Sequence, residues 1–142
     1  MSGLAEAGPL HHVGIVVPSI AQAIPFYRDV LGYTIGSQHA LTEQRVRVVF
    51  VSKGESRVEL LEPTDAESGV ARFLAERGRA TMHHLCFEVA DLVGTLDRLA
   101  SSGVELVDRA PRQGVEGMVA FLHPRAAGGV LVELIDRATL RA

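Results

Sequence analysis

Apolar and polar positions alternate in two stretches that echo each other, "LHHVGIVVPSI" at residues 10–20 and "MHHLCFEVADL" at residues 82–92. Period-two alternation sends successive side chains to opposite faces of a strand, so each stretch predicts a strand with one apolar face. Aligning His12 with His84, an offset of 84 − 12 = 72 residues, sets Val13 over Leu85, Ile15 over Phe87, Val17 over Val89 and Ile20 over Leu92. The repeat runs on past the strand. Ser19, with Gln22 completing a capping box, and Asp91 are helix N-cap residues. Apolar positions at helical spacing follow in "IAQAIPFYRDVL" and "LVGTLDRLASS" until Gly32 and Gly103 stop them. Pro25 fits such a helix only in about its opening turn, where a missing N–H matters least.

Each half then offers further strands: "VRVVFVSKG" and "SRVELLEP" in the first, "MVAFLHP" and "GVLVELID" in the second, with turns at "SKGES" and "HPRAAGG". Both halves therefore read as β-α-β-β-β, one module over about residues 10–62 and one over about 82–136. "DAESGVARFLAERG" reads as a linking helix over about residues 65–78, ending at Gly78. The expected fold is α+β, two tandem βαβββ modules forming a curved mixed sheet. Its apolar face collects Val13, Ile15, Val17, Val58, Leu60, Leu85, Phe87, Val89, Val130, Val132 and Leu134, and the helices should pack there. Phe26 and Tyr27 are expected in the same core.

The opposite face collects His12, Glu59, His84 and Glu133, one from the first and one from the last strand of each half. A carboxylate among aliphatic neighbours is costly to bury unless a cation offsets it. Two imidazoles and two carboxylates converging on one concave surface meet that need by sharing a divalent metal. Taken singly, these residue types say less. A histidine at a strand start is ordinarily a polar edge residue, which is the reading for His11, His39 and His83, and Glu59 alone could face solvent. Matched positions in a duplicated unit favour the shared site. Cys86 reads as a small buried thiol, and His123 in "FLHP" as support for a turn.

Composition narrows the partners. The 142 residues suit one domain, and 47% hydrophobic against 22% charged residues with a net charge of -3 describe a folded globular chain. The basic residues, thirteen Arg and one Lys, are scattered, so no polyanion-binding field exists and nucleic acid is not an expected partner. A single cysteine excludes an internal disulfide, and neither a basic leader nor a membrane-length apolar run is present, so a cytoplasmic setting without a membrane partner is expected.

The paired modules, with one candidate ligand on the first and last strand of each, resemble the vicinal oxygen chelate superfamily, which includes glyoxalase I, extradiol dioxygenases and fosfomycin-resistance proteins. Within it, "HHVGIVVPSIAQAIPFYRDVLGY", "VELLEPTDAESGVARFLAERG", "MHHLCFEVADL", "GVELVDRAPRQG" and "FLHPRAAGGVLVELID" are similar in order and spacing to methylmalonyl-CoA epimerases over about residues 10–136. The resemblance implies His12, Glu59, His84 and Glu133 as metal ligands, some members having glutamine at the position of Glu59. Two imidazoles with two carboxylates would accept cobalt, manganese, nickel or zinc, and the resemblance implies an acyl-CoA substrate and a homodimer. Two departures stand out: Arg45 replaces the glycine of the family's "EQG", and Val48 replaces a glutamate that is catalytic in some members.

The implied reaction is interconversion of (R)- and (S)-methylmalonyl-CoA, which needs two acid/base groups on opposite faces of the reacting carbon. Glu133 is the first candidate base, with Glu59 or the loop residue Glu43 as the second. Arg112 and Arg125 are candidates for the coenzyme A phosphates, and Gln44 is a further substrate-binding candidate. Rival readings on the same scaffold are a glyoxalase I-like isomerase or lyase and a non-catalytic resistance protein that sequesters a ligand. An extradiol dioxygenase fits less well, since it would take three ligands from one module.

Overall fold

A computed structural model describes residues 3–141. The strands and helices run β1 (Leu10–Val16), α1 (Ile20–Pro25), a π-helical turn (Phe26–Val30), β2 (Thr34–Leu41), β3 (Val46–Lys53), β4 (Ser56–Pro63), α2 (Gly69–Arg77), β5 (Thr81–Val89), α3 (Leu92–Ser101), β6 (Arg112–Gln113), β7 (Met118–Leu122) and β8 (Val132–Asp136). The chain divides into two compact units: His12–His83, and residues 84–141 together with the N-terminal residues 3–11.

In the first unit the strand order is β2-β3-β4-β1. β1 and β4 are parallel, Val13 to Val16 facing Val58 to Leu61, and β3 is antiparallel to β4 and β2. A bulge between Ile35 and Gln38 bends β2 around Gly36, where a Cβ would lie 2.9 Å from the Phe50 carbonyl oxygen. Only glycine lets the two backbones approach this closely. α1 packs Ile20, Ala23 and Ile24 onto Val17, Val49, Val51 and Leu60, with Ile15 and Val58 at the margin, so the expected apolar face is the packed one. Ser19 Oγ accepts from the Gln22 N–H at 3.1 Å, as the N-cap reading requires. A second anchor has no signature in the sequence: the Glu62 carboxylate accepts from the Ile20 N–H at 2.7 Å and from Arg47 Nη1 at 2.9 Å, tying the start of α1 to the sheet.

Pro25 is not in the opening turn. It ends α1, six residues after the cap, and the chain continues as a wider turn closed by the Leu31 N–H on the Phe26 carbonyl at 3.1 Å. A proline lacks the N–H that would bond four residues back and crowds that carbonyl, and one π turn absorbs both faults. The shift leaves Tyr27 partly in the core but puts Phe26 at 52% exposure, against the expectation that both are buried.

The second unit repeats the plan with order β5-β8-β7-β6, β5 parallel to β8 and β7 antiparallel to both β8 and β6. α3 packs Leu92, Leu96 and Leu99 against Val89, Ala120 and Leu134, and Asp91 Oδ1 caps it through the Gly94 N–H at 3.2 Å. One strand is vestigial: β6 has two residues, and the preceding "GVELVDRA" contributes only a bridge from Leu106 to Leu122. Gly8 and Pro9 pair with β5, the Gly8 N–H on the Glu88 carbonyl at 2.7 Å and the Glu88 N–H on the Pro9 carbonyl at 3.1 Å, while the Leu4 carbonyl accepts from Arg98 of α3 at 3.2 Å. His11 is an interior residue at 3% exposure rather than an edge one. Of the other two histidines read as edge residues, His39 is exposed and His83 is half-buried with its ring edge-on to Phe73 at 5.0 Å. The linking segment becomes helical only after Ser68, because Asp65 Oδ1 first accepts from the Glu67 and Ser68 N–H groups in a turn, and Gly78 ends it at φ +70°. Among the described residues no helix is long and apolar enough to cross a membrane.

Candidate functional site

Each unit builds the same small constellation on the sheet face away from its helix. In the first, β1 carries His12, and Gly14, two residues on and on the same face, pairs in register with Glu59 of β4, which pairs in turn with Phe50 of β3. His12 Nε2 lies 3.5 Å from Glu59 Oε1, and the His12 ring stands edge-on to Phe50 with centroids 5.0 Å apart. In the second unit β5 carries His84, Cys86 pairs with Glu133 of β8, and Glu133 pairs with Phe121 of β7. His84 Nε2 lies 3.3 Å from Glu133 Oε1, and its ring is edge-on to Phe121 at 5.7 Å. The duplication thus extends to three side chains in the same register relation.

All four polar groups are buried, His12 and His84 at 3% and Glu59 and Glu133 at 8% and 7%. Their face is more enclosed than a half-wet sheet: Val16, Val48, Cys86 and Ile135 on it are all at 1% exposure or less. Cys86 is the buried thiol expected, among Val119, Ile135 and Leu140. Phe50 and Phe121 were missed as site residues, although the signal was present: "VVFV" and "VAFL" put a phenylalanine on the corresponding strand of each half. An aromatic edge against an imidazole fixes the ring plane and leaves one nitrogen aimed at the carboxylate.

The donor set and spacing fit a divalent metal. Ligands held at 2.0–2.2 Å in adjacent positions stand about 3 Å apart, and each unit presents a buried imidazole nitrogen and carboxylate oxygen at 3.3–3.5 Å. Mixed nitrogen and carboxylate donors suit first-row ions such as cobalt, manganese, nickel or zinc.

The remaining candidates lie in loops. Glu43 and Gln44 occupy the turn from β2 to β3, Glu43 exposed and Gln44 half-buried. The turn ends at Arg45, whose φ of +57° explains why a glycine suits this position. The Arg45 N–H bonds to the Thr42 carbonyl at 3.2 Å, its own carbonyl accepts from the Thr64 N–H at 2.9 Å, and its guanidinium reaches Asp65 at 3.5 Å. A left-handed non-glycine residue is strained by about 1–2 kcal/mol. Part of that gain is offset by glycine's unfolded-state entropy and by loss of an exposed ion pair. Arg45→Gly should therefore be neutral or stabilising by up to about 1 kcal/mol in urea unfolding, whereas Arg47→Gly in the neighbouring extended strand should destabilise. A clear loss for Arg45→Gly would show that the Asp65 contact outweighs the strain.

Arg125 stands on the β7–β8 connection with its guanidinium forked onto Glu105, Nε to Oε1 at 3.0 Å and Nη2 to Oε2 at 2.6 Å. His123 supports the turn as expected, its Nδ1 accepting from the Arg125 N–H at 3.1 Å. The Arg125 hydrogen bonds hold the Glu105 carboxyl below its ordinary value of 4.5. A depressed folded-state value adds stability above the unfolded value and loses it as pH falls through the folded one. Glu105→Gln should accordingly lower the urea midpoint slightly at pH 7, with the gap closing below about pH 4.5; a gap that persists in acid would refute the pairing as its source. Arg112 lies against the Phe121 ring.

Comparison with known proteins gives this architecture a family. Residues 11–121 match the family model of the glyoxalase/bleomycin resistance protein/dioxygenase superfamily, and the chain belongs to that superfamily and has its vicinal oxygen chelate fold. It is 39% identical over 128 residues to the mitochondrial methylmalonyl-CoA epimerase of Bos taurus, covering 89% of this chain and 73% of that protein. The crystal structure of methylmalonyl-CoA epimerase from Mycobacterium tuberculosis superposes with a TM-score of 0.86 at 34% identity, covering 96% of this chain and 91% of that one. A methylmalonyl-CoA epimerase in complex with methylmalonyl-CoA and ammonium gives the same TM-score at 30% identity, covering 96% and 99%. Within the superfamily the chain groups with these epimerases, and it is an isomerase.

Proposed function

We propose that the protein interconverts (R)- and (S)-methylmalonyl-CoA by removing the proton at C2 and returning one to the opposite face. The observation that carries the reading is the duplicated, buried His–Glu–Phe constellation, which supplies two carboxylates of matched setting to a reaction that needs two proton-transfer groups. The epimerase relatives, one of them with methylmalonyl-CoA bound, support this substrate.

The His–Glu pair of each unit, His12 with Glu59 and His84 with Glu133, would supply ligands to a divalent metal. When bound, it would supply Lewis-acid stabilisation for the negative charge that develops on the thioester oxygen. The protein's own groups move the protons. Glu133, held beside His84 by burial and by Phe121 across the strand, removes the C2 proton. Glu59, its counterpart in the repeat, returns one; Glu43 on the β2–β3 turn is the alternative donor. The aliphatic residues around both carboxylates exclude water, which protects the enolate from adventitious protonation. The same reading takes the protein as a cytoplasmic homodimer.

Proton NMR of methylmalonyl-CoA in D₂O tests the proposal. Protein loaded with cobalt(II) should erase the C2 proton signal, and a chelator should stop the loss. Exchange no faster than without protein, at full metal occupancy, would overturn the epimerase reading.

A further inference from the structure

Arg112 opens β6 directly opposite Val119, so its side chain shares the face of β7 that carries Val119 and Phe121. Its guanidinium carbon stands 5.3 Å above the centre of the Phe121 ring. Phe121 in turn is edge-on to His84 and directly opposite Glu133. A cation therefore sits one aromatic ring away from the second constellation.

The hydrogen bonding of that cation is incomplete. Nη2 pairs with Asp108 Oδ2 at 3.2 Å, and the same oxygen also accepts the Phe121 N–H at 2.8 Å. Nε is buried, and among the described residues it meets no acceptor. Arg28 and Arg125, by contrast, each place Nε and Nη2 on both oxygens of one carboxylate. A buried donor left unpaired is costly, so a ligand acceptor that reached it would be favoured. The side chain as a whole is 40% exposed, so an anionic ligand could approach Arg112 from its exposed side.

We infer that Arg112 receives the free carboxylate of the substrate and so selects a malonyl-type acyl group over a simple acyl group. The inference rests on the proposed function and sharpens it. If Glu133 attends the reacting carbon, the coenzyme A phosphates are a full pantetheine arm away, and a guanidinium stacked beside Glu133's cross-strand partner meets the acyl end instead. This moves Arg112 from the phosphate-binding role expected from sequence. Guanidinium and carboxylate are matched in charge and in planar geometry, and Phe121 holds the guanidinium plane in place.

Calorimetric titration of cobalt-loaded protein with methylmalonyl-CoA and with propionyl-CoA, which lacks the carboxylate, tests this directly. Arg112→Gln should weaken methylmalonyl-CoA roughly 10- to 100-fold, the worth of a charged hydrogen bond, and leave propionyl-CoA within about twofold. Arg112→Lys, which keeps the charge and loses the fork, should show a smaller loss of the same selective kind and serves if the glutamine variant does not fold. Equal weakening of both ligands would place Arg112 on the shared coenzyme A portion, and no change in either would leave it structural; both results overturn the inference. Wild-type C2 exchange is measured separately, so a protein that selects the carboxylate without exchanging the proton would refute the epimerase reading alone.

Discussion

Glu133→Gln should lower the rate of C2 proton exchange in methylmalonyl-CoA by roughly 10²- to 10⁴-fold, the range for loss of a positioned general base. The change is nearly isosteric and the site is buried, so the thermal midpoint tells loss of chemistry from loss of fold. Glu59→Gln distinguishes the two roles. If Glu59 serves the other face, its variant should stop inversion of configuration while exchange from the Glu133 side continues, which chiral analysis of the recovered thioester resolves. Unchanged exchange in Glu133→Gln would remove that residue from the proton-transfer step.

Leu96→Ala should give the largest stability loss, about 2–5 kcal/mol in urea unfolding. Leu96 has no exposed surface and lies in the cluster formed by α3 with Val89, Ala120 and Leu134, so truncation leaves a cavity that a sheet cannot readily close. On the same helix Val93 is 57% exposed, and Val93→Ala should stay within about 0.5 kcal/mol. A loss under about 1 kcal/mol for Leu96→Ala would mean that α3 contributes little to the cooperative core.

The repeat made much of this legible. β1 and β5 were readable because each alternates over a full strand, and the repeat located both caps, both helix faces and the four polar residues that the structure pairs as His12 with Glu59 and His84 with Glu133. What escaped depended on partners distant in sequence. Glu62 caps α1 from forty-two residues away. His11 is interior at 3% exposure, and nothing in "LHHV" distinguishes it from an edge residue. β6 is short because the chain leaves the sheet after one bridge, although "GVELVDRA" has no strong breaker. Phe26 is exposed because the turn after Pro25 widens, and a helical-wheel reading assumes that it does not. Arg45 was visible as a departure from pattern, while its left-handed backbone was not.

Cys86, the sole cysteine, has no exposed surface and lies two residues along β5 from His84. A thiol reagent can reach it only when β5 parts from its neighbours, so its labelling rate is a clock for that opening. With the reagent in the regime where closing outruns labelling, the rate reads the free energy of opening at the very strand that carries His84. Slowing by added metal or acyl-CoA would then report occupancy of the site without any turnover being measured.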